Sequence, residues 1–243
     1  MMRQLVHFIP IATTLIALVF AIAILRHYRR RGSGLHLLWW GVGLLLFAAG
    51  TFTEGAVTLF GWTETTFRAW YITGALLGGA PLAQGTAYLL LRRRTANWFA
   101  AVLIPYVVVA AVCVLLSPIN ETLVEPYRLS GSVLEWQWVR LFSPLINTYA
   151  VIFLIGGAAL SAFRYRKRED TYHRFVGNVL IAVGATLPGI GGIASRAGYT
   201  EVLYVGEFVG IILIWMGYRW NVRVPIPARE PVGVTDSIQP SPT

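Results

Sequence analysis

The sequence predicts an all-α polytopic membrane protein of seven spanning helices. Three observations carry this. The 243 residues are 56% hydrophobic and only 13% charged, about half the charged fraction of an ordinary soluble domain. The mean hydropathy is +0.62. Seven apolar runs each approach or exceed the roughly 20 residues needed to cross a bilayer, and the basic residues gather on alternate connections between them.

The runs are 5–25, 37–60, 67–91, 98–116, 138–163, 175–195 and 202–218. Backbone polar groups cannot stay unpaired in lipid, so each run is expected to be a helix. The alternating segments of about ten residues that mark a transmembrane β-barrel are absent. The first run is longer than a signal-peptide core and lacks a small-residue cleavage pattern, so it is expected to be retained. The unit as a whole is 1–224, with a tail, 225–243, whose Pro- and Ser-rich composition predicts disorder on the cytoplasmic side.

Charge sets the expected orientation. Fifteen of the 20 basic residues follow the first, third, fifth and seventh runs; the other five are Arg3, Arg68, Arg128, Arg140 and Arg196. Basic flanks stay cytoplasmic, which puts the N-terminus outside and the C-terminus inside an inner or plasma membrane. The net charge of +9 therefore orients the chain in lipid, and no nucleic-acid surface is expected. The bilayer is the expected partner, with a small-molecule or lipid ligand besides. The longest connection, 117–137, lies on the outer side and is placed to fold over the mouth or to remain a surface loop.

The halves align on each other. A shift of 134 residues places Phe8-Ile9-Pro10-Ile11 on Phe142-Ser143-Pro144-Leu145, and Gly43, Gly50 and Gly55 on Gly177, Gly184 and Gly189. A shift of 137 places Gly61-Trp62-Thr63-Glu64 on Gly198-Tyr199-Thr200-Glu201. The alignment predicts a parallel repeat of two triplets, 5–91 and 138–218, joined by a linker helix at 98–116. This plan is similar to the three-plus-one-plus-three arrangement of sugar-facilitator and PQ-loop proteins, although Pro10 and Pro144 are followed by Ile11 and Leu145 rather than glutamine. The topology also resembles that of microbial rhodopsins. The only lysine, Lys167, falls in a connection, so the resemblance does not extend to a retinal-binding lysine in the last span.

Ionisable residues inside spans are costly and face a cavity or a partner. Glu54 and Glu207 both lie about two turns inside their runs. Arg68, Arg140 and Arg196 stand near the same end, and Tyr71, Gln84, Asn147 and Tyr149 extend the polar set inward. These nine residues are the candidate ligand-binding site. Two readings remain open: ion pairs (Glu54 with Arg68, Glu207 with Arg196 or Arg140) that hold the bundle, or a polar vestibule that binds a ligand. Gly74, Gly78, Gly79 and Pro81 in the third run, and Gly184, Pro188, Gly189, Gly191 and Gly192 in the sixth, mark helices that are interrupted or tightly packed.

The sequence carries one cysteine, Cys113, and no HExxH, Gly-x-Ser-x-Gly, Walker or dinucleotide fingerprint. No metal, cofactor or catalytic nucleophile is expected. The functional expectation is a small-molecule transporter or facilitator with an outward-facing polar site between the triplets. A seven-helix ligand sensor and an accessory subunit of a larger membrane complex are the alternatives.

Overall fold

The computed structural model describes residues 5–126, 128–167 and 169–222. The predicted disordered tail, and Arg3, Arg168, Arg223 and Arg229 of the charge pattern, lie outside the described residues. Among the described residues the chain is helical, with two isolated bridges and no strand.

Helix α1 (Ile9–Arg31) opens with Pro10 in its first turn, where the missing N–H costs nothing. It ends at Gly32, whose φ of 67° lets the chain leave the helix. Helix α2 (Leu35–Phe60) stops at Gly61. Helix α3 (Glu64–Trp70) is capped by Thr63, whose hydroxyl accepts the Thr66 N–H at 3.2 Å. A π-helical segment, Tyr71–Leu76, follows directly. Helix α4 (Ala80–Leu90) starts afresh beyond it, and α5 (Arg93–Leu116) is continuous. Helices α6 (Phe142–Ala150) and α7 (Gly157–Tyr165) are joined by a second π segment, Val151–Gly156, and α8 (Tyr172–Arg196) and α9 (Thr200–Asn221) complete the bundle.

Six helical stretches are long and apolar enough to cross a membrane: Ile9–Arg31, Leu35–Phe60, Arg93–Leu116, Gln137–Tyr165, Glu169–Arg196 and Thr200–Asn221. These make the chain a multi-pass integral membrane protein. The expected third span, 67–91, is not one helix. It breaks between Leu76 and Ala80, where Gly78 and Gly79 weaken the helix and Pro81 removes a donor from the first turn of α4. The Leu77 N–H reaches back to the Ile72 carbonyl at 3.0 Å, a five-residue step that widens the last turn before the break.

The sixth run behaves differently. Pro188 sits inside α8, yet the helix runs unbroken to Arg196. The Gly184 carbonyl, which loses its usual donor to Pro188, lies against Gly210 of α9: a Cβ on Gly210 would come within 2.6 Å of it. A glycine of the neighbouring helix thus packs directly over the orphaned oxygen. Gly184 and Gly191 of this run serve packing, each facing backbone of α9, while Gly189 and Gly192 face open space. The halves also differ in helix form where a repeat predicts likeness. Helix α1 is regular while the fifth run, 138–163, carries a π segment, and the third run is broken while α9 is regular.

The bundle closes through α1 on α2, α2 on α4, α4 on α6 and the second π segment, α7 on α8, α8 on α9, and α9 back on α1. Helix α5 lies to one side against α4, the first π segment and α6. Outward residues are apolar: Leu15 and Val19 on α1, Phe52 on α2, and Val102 and Val108 on α5 are all more than half exposed, as a lipid-facing surface requires.

Two apolar clusters fill the interior. One joins Ala17, Phe20, Ile24, Leu37, Leu44, Ala48, Leu82 and Ile211. The other joins Val57, Phe67, Tyr71, Leu76, Val107, Val114 and Ile146 to the connection between α5 and α6. That connection is a fold in itself. Its two arms pair through Asn120 N–H to Val133 O at 2.8 Å and Glu135 N–H to Pro118 O at 2.9 Å. Leu129, Val133 and Leu134 are buried beneath it. The segment caps that end of the bundle and is no mere surface loop.

Candidate functional site

Glu54 lies on α2 between Ala48 of one cluster and Val57 of the other, where the apolar interior is interrupted. It is 4% exposed. Its Oε1 accepts a hydrogen bond from the Trp70 indole N–H at 3.0 Å. Glu207, on α9, faces it within hydrogen-bonding reach. The Glu207 side chain is half-buried along its stem, but its Oε2, like Oε2 of Glu54, is fully buried and receives no hydrogen bond from another residue's donor.

Glycine packing sets this geometry. A Cβ on Gly50 would stand 3.0 Å from the Gly74 Cα, so only glycine at 50 lets the π segment lie this close to α2. Gly50 and Glu54 are one turn apart on the same helix face. The approach at Gly50 therefore brings Trp70, at the start of the π segment, onto Glu54. Single π turns recur at functional sites.

The expected ion pairs are not formed: neither acid pairs with Arg68, Arg140 or Arg196. Arg68 is held by Glu64, one turn back, at 2.6 Å. It also donates to the Val114 carbonyl and, at 3.0 Å, to the Ser117 carbonyl, closing the C-terminal end of α5. Arg140 is exposed and donates to Gln137 Oε1 at 2.8 Å. Arg196 is exposed at the end of α8. These two arginines come within electrostatic reach of Tyr71, whose hydroxyl accepts from Ser143 Oγ at 3.4 Å.

Gln84 is fully buried and committed at both ends of its amide. It donates to the Ala96 carbonyl at 2.9 Å and accepts from the Tyr149 hydroxyl at 2.6 Å. It ties α4 to α5 and α6. Asn147 is exposed on α6, away from this tie. The nine candidate residues therefore divide: an acid pair, a Tyr71 group with two arginines, a Gln84–Tyr149 tie, and Arg68 and Asn147 apart.

Three residues beside the acid pair were not among the nine. Trp70 reads from sequence as part of an interfacial aromatic belt. Tyr204 is buried one turn from Glu207, within electrostatic reach of Glu54, Glu207 and Glu201. The His7 ring meets Tyr204 edge-on at 6.0 Å. The three-residue spacing of Glu201, Tyr204 and Glu207 was the available signal, since it places them along one side of a helix.

Two clefts open on the surface. One, of about 320 Å³, is lined by His7, Glu125, Pro126, Arg128, Gly198, Thr200 and Glu201. It shares His7 with the Tyr204 contact and Glu201 with the helix that carries Glu207. The other, of about 640 Å³, is a groove at Arg94, Thr95, Trp98, Phe99 and Val102 on α5, remote from the acids. Among the described residues no group of three His, Cys, Asp or Glu side chains is placed to hold a metal ion. Comparison of the chain with protein-family models, curated proteins and solved structures finds no match.

Two acceptor oxygens facing each other in an apolar interior need a positive charge between them. A single proton serves: one carboxyl donates and the other accepts, as in carboxylate dyads generally. Trp70 steadies the accepting arrangement from one side. Trp70→Phe is expected to remove that donor and destabilise the protein by about 1–2 kcal/mol, read as a lower midpoint of thermal unfolding in detergent. A midpoint unchanged from the parent would count against the bond.

Proposed function

We propose that this chain is a proton-coupled small-molecule transporter, with Glu54 and Glu207 as its proton site and the translocation route between the two triplets, 5–91 and 138–218. The observation that carries the reading is the buried acid pair without a basic partner, placed beside a broken helix. Intramembrane acids of this kind mark proton relays and substrate routes. Discontinuous helices supply the loose backbone that such routes need. On this reading α3, the π segment and α4 together make a seventh crossing, the N-terminus faces outward and the arginine-rich connections face the cytoplasm of a cell with this protein in its inner or plasma membrane.

The test is flux in proteoliposomes carrying an imposed pH gradient, with a luminal pH dye and a panel of amines, sugars and carboxylic acids. A compound that moves protons with it is expected, and Glu54→Gln or Glu207→Gln is expected to lower that coupled flux at least a hundredfold. Flux indifferent to both substitutions would remove the acids from the mechanism. Orientation has its own check. Cysteines placed at Arg30, Arg93 and Arg166 are expected to react with an impermeant thiol reagent only after cells are opened, and labelling of intact cells would reverse the topology.

A ligand-sensing module is the second reading. The cap formed by 117–137 favours it, because a bundle sealed at that end can hold a ligand without passing it on. Ligand binding with no accompanying flux in the same vesicles selects it.

A further inference from the structure

Acidic and aromatic side chains stand around the acid pair. On α9, Tyr204 and Glu201 lie above Glu207. From the chain preceding α1, His7 closes on Tyr204. From the junction of α3 and the π segment, the Trp70 indole reaches Glu54. No arginine is among the groups that act on either acid. At the cleft, Glu125 and Glu201 stand at the mouth with one arginine, Arg128. That arginine is committed to Glu125 at 2.8 Å and to the Ser195 carbonyl at 3.0 Å. Cleft and acid pair together present four carboxyl groups, one committed arginine and the rings of His7, Tyr204 and Trp70.

Carboxylates combined with aromatic faces are the chemistry that recognises an organic cation. An anion would meet Glu201 and then two further acids, each repelling it. We infer that the site takes a small alkylammonium ion, which enters by the cleft at His7, Glu125 and Glu201 and replaces the proton shared by Glu54 and Glu207. The inference rests on the proton-site reading above and adds the class of ligand.

The exchange balances. With one proton between them, the two carboxyl groups carry a single negative charge. When the ammonium arrives the proton leaves through the cleft to solvent, both acids become carboxylates, and the ammonium restores the same net charge. No bond forms to the ligand beyond hydrogen bonds from its N–H groups to the two Oε2 atoms, the atoms that now lack a donor. The acids and Tyr204 are buried while His7 lines the cleft, so on this inference the His7–Tyr204 contact opens as the ligand passes.

The test uses the full chain in lipid nanodiscs, in weak buffer, with propylammonium chloride and, as an anion of similar size, sodium propionate. Propylammonium is expected to release about one proton per chain with saturation and to change the tryptophan emission, the emission change being lost in Trp70→Phe. Propionate is expected to do neither. Glu54→Gln and Glu207→Gln are expected to abolish proton release. Glu207→Asp keeps the carboxyl and is expected to retain it, and Glu201→Gln is expected to raise the half-saturating concentration about tenfold. Glu135→Gln, on the exposed side of the cap, is expected to leave everything unchanged. A response to propionate alone, a response that survives both Gln substitutions, or no response to propylammonium overturns the inference. The carboxyl stretching band in infrared spectra, followed through a pH titration without ligand, separates the two claims. A band that titrates and disappears in Glu54→Gln, together with silence toward propylammonium, leaves the proton site standing and removes the ligand class. Absence of the band removes both.

Discussion

Gly184→Leu is expected to force helix α8 away from α9 and to cost about 3 kcal/mol, the upper part of the usual range for overpacking. The reason is backbone-to-backbone contact along the whole interface. A Cβ at Gly184 would lie 2.7 Å from the Gly210 carbonyl, one at Gly191 would lie 2.6 Å from the Leu203 Cα, and one at Gly206 would lie 2.8 Å from the Leu187 carbonyl. Backbone atoms cannot swing aside as a flexible side chain can, so the helices themselves must separate. In lipid, where apolar side chains find tails as welcome as each other, such close approach is the main source of helix association. Gly189 and Gly192 on the same helix have nothing within 4 Å of a built Cβ. Alanine at either is expected to leave the unfolding midpoint within about 0.5 kcal/mol of the parent. Thermal unfolding in detergent of these three variants decides the matter: equal effects at 184, 189 and 192 would mean that the α8–α9 contact does not set the difference.

The second large effect concerns pH. On the proton-site reading, a proton shared by Glu54 and Glu207 belongs to the folded bundle, so its contribution is present at low pH and is lost as rising pH removes it. Two carboxylates left in contact repel by about 4 kcal/mol at an effective dielectric constant of 20. Part of that is relieved if the helices shift or water enters. A loss of about 2–4 kcal/mol is expected between the protonated and fully ionised pair. In Glu54→Gln the amide donates to the Glu207 carboxylate without needing a proton, which makes the unfolding midpoint of that variant nearly flat over the same range. A parent protein whose midpoint is equally flat, or a variant that keeps the full slope, would assign the pH response elsewhere.

What could be seen in the sequence was decided by how local each signal is. The six continuous helical stretches follow from length and hydropathy, which act residue by residue. The break in the third run was legible in Gly74, Gly78, Gly79 and Pro81. Pro188 in the sixth run gave the same signal and the opposite outcome: the helix runs on with Gly210 of a different helix packed over the orphaned oxygen, and nothing near 188 in the chain announces that. Glu54 and Glu207 were legible as acids deep within apolar runs. Their partnership was not, since 153 residues separate them and only the closure of α9 on α1, which itself packs on α2, brings them together. Arg68 was misplaced for a different reason. Glu64 lies four residues before it, a helix-surface pair at ordinary spacing, and that local partner outcompetes a more distant acid on another helix.

The segment between α5 and α6 has a consequence for how the chain is assembled. Leu129, Val133 and Leu134 have no apolar surroundings until Val57, Phe67, Val114 and Ile146, carried by four separate helices, have converged. While the chain is being threaded into lipid these side chains remain in the aqueous phase, unsatisfied. Closure of the lid is therefore the last event at that end of the molecule, and it reports on the docking of every helix beneath it.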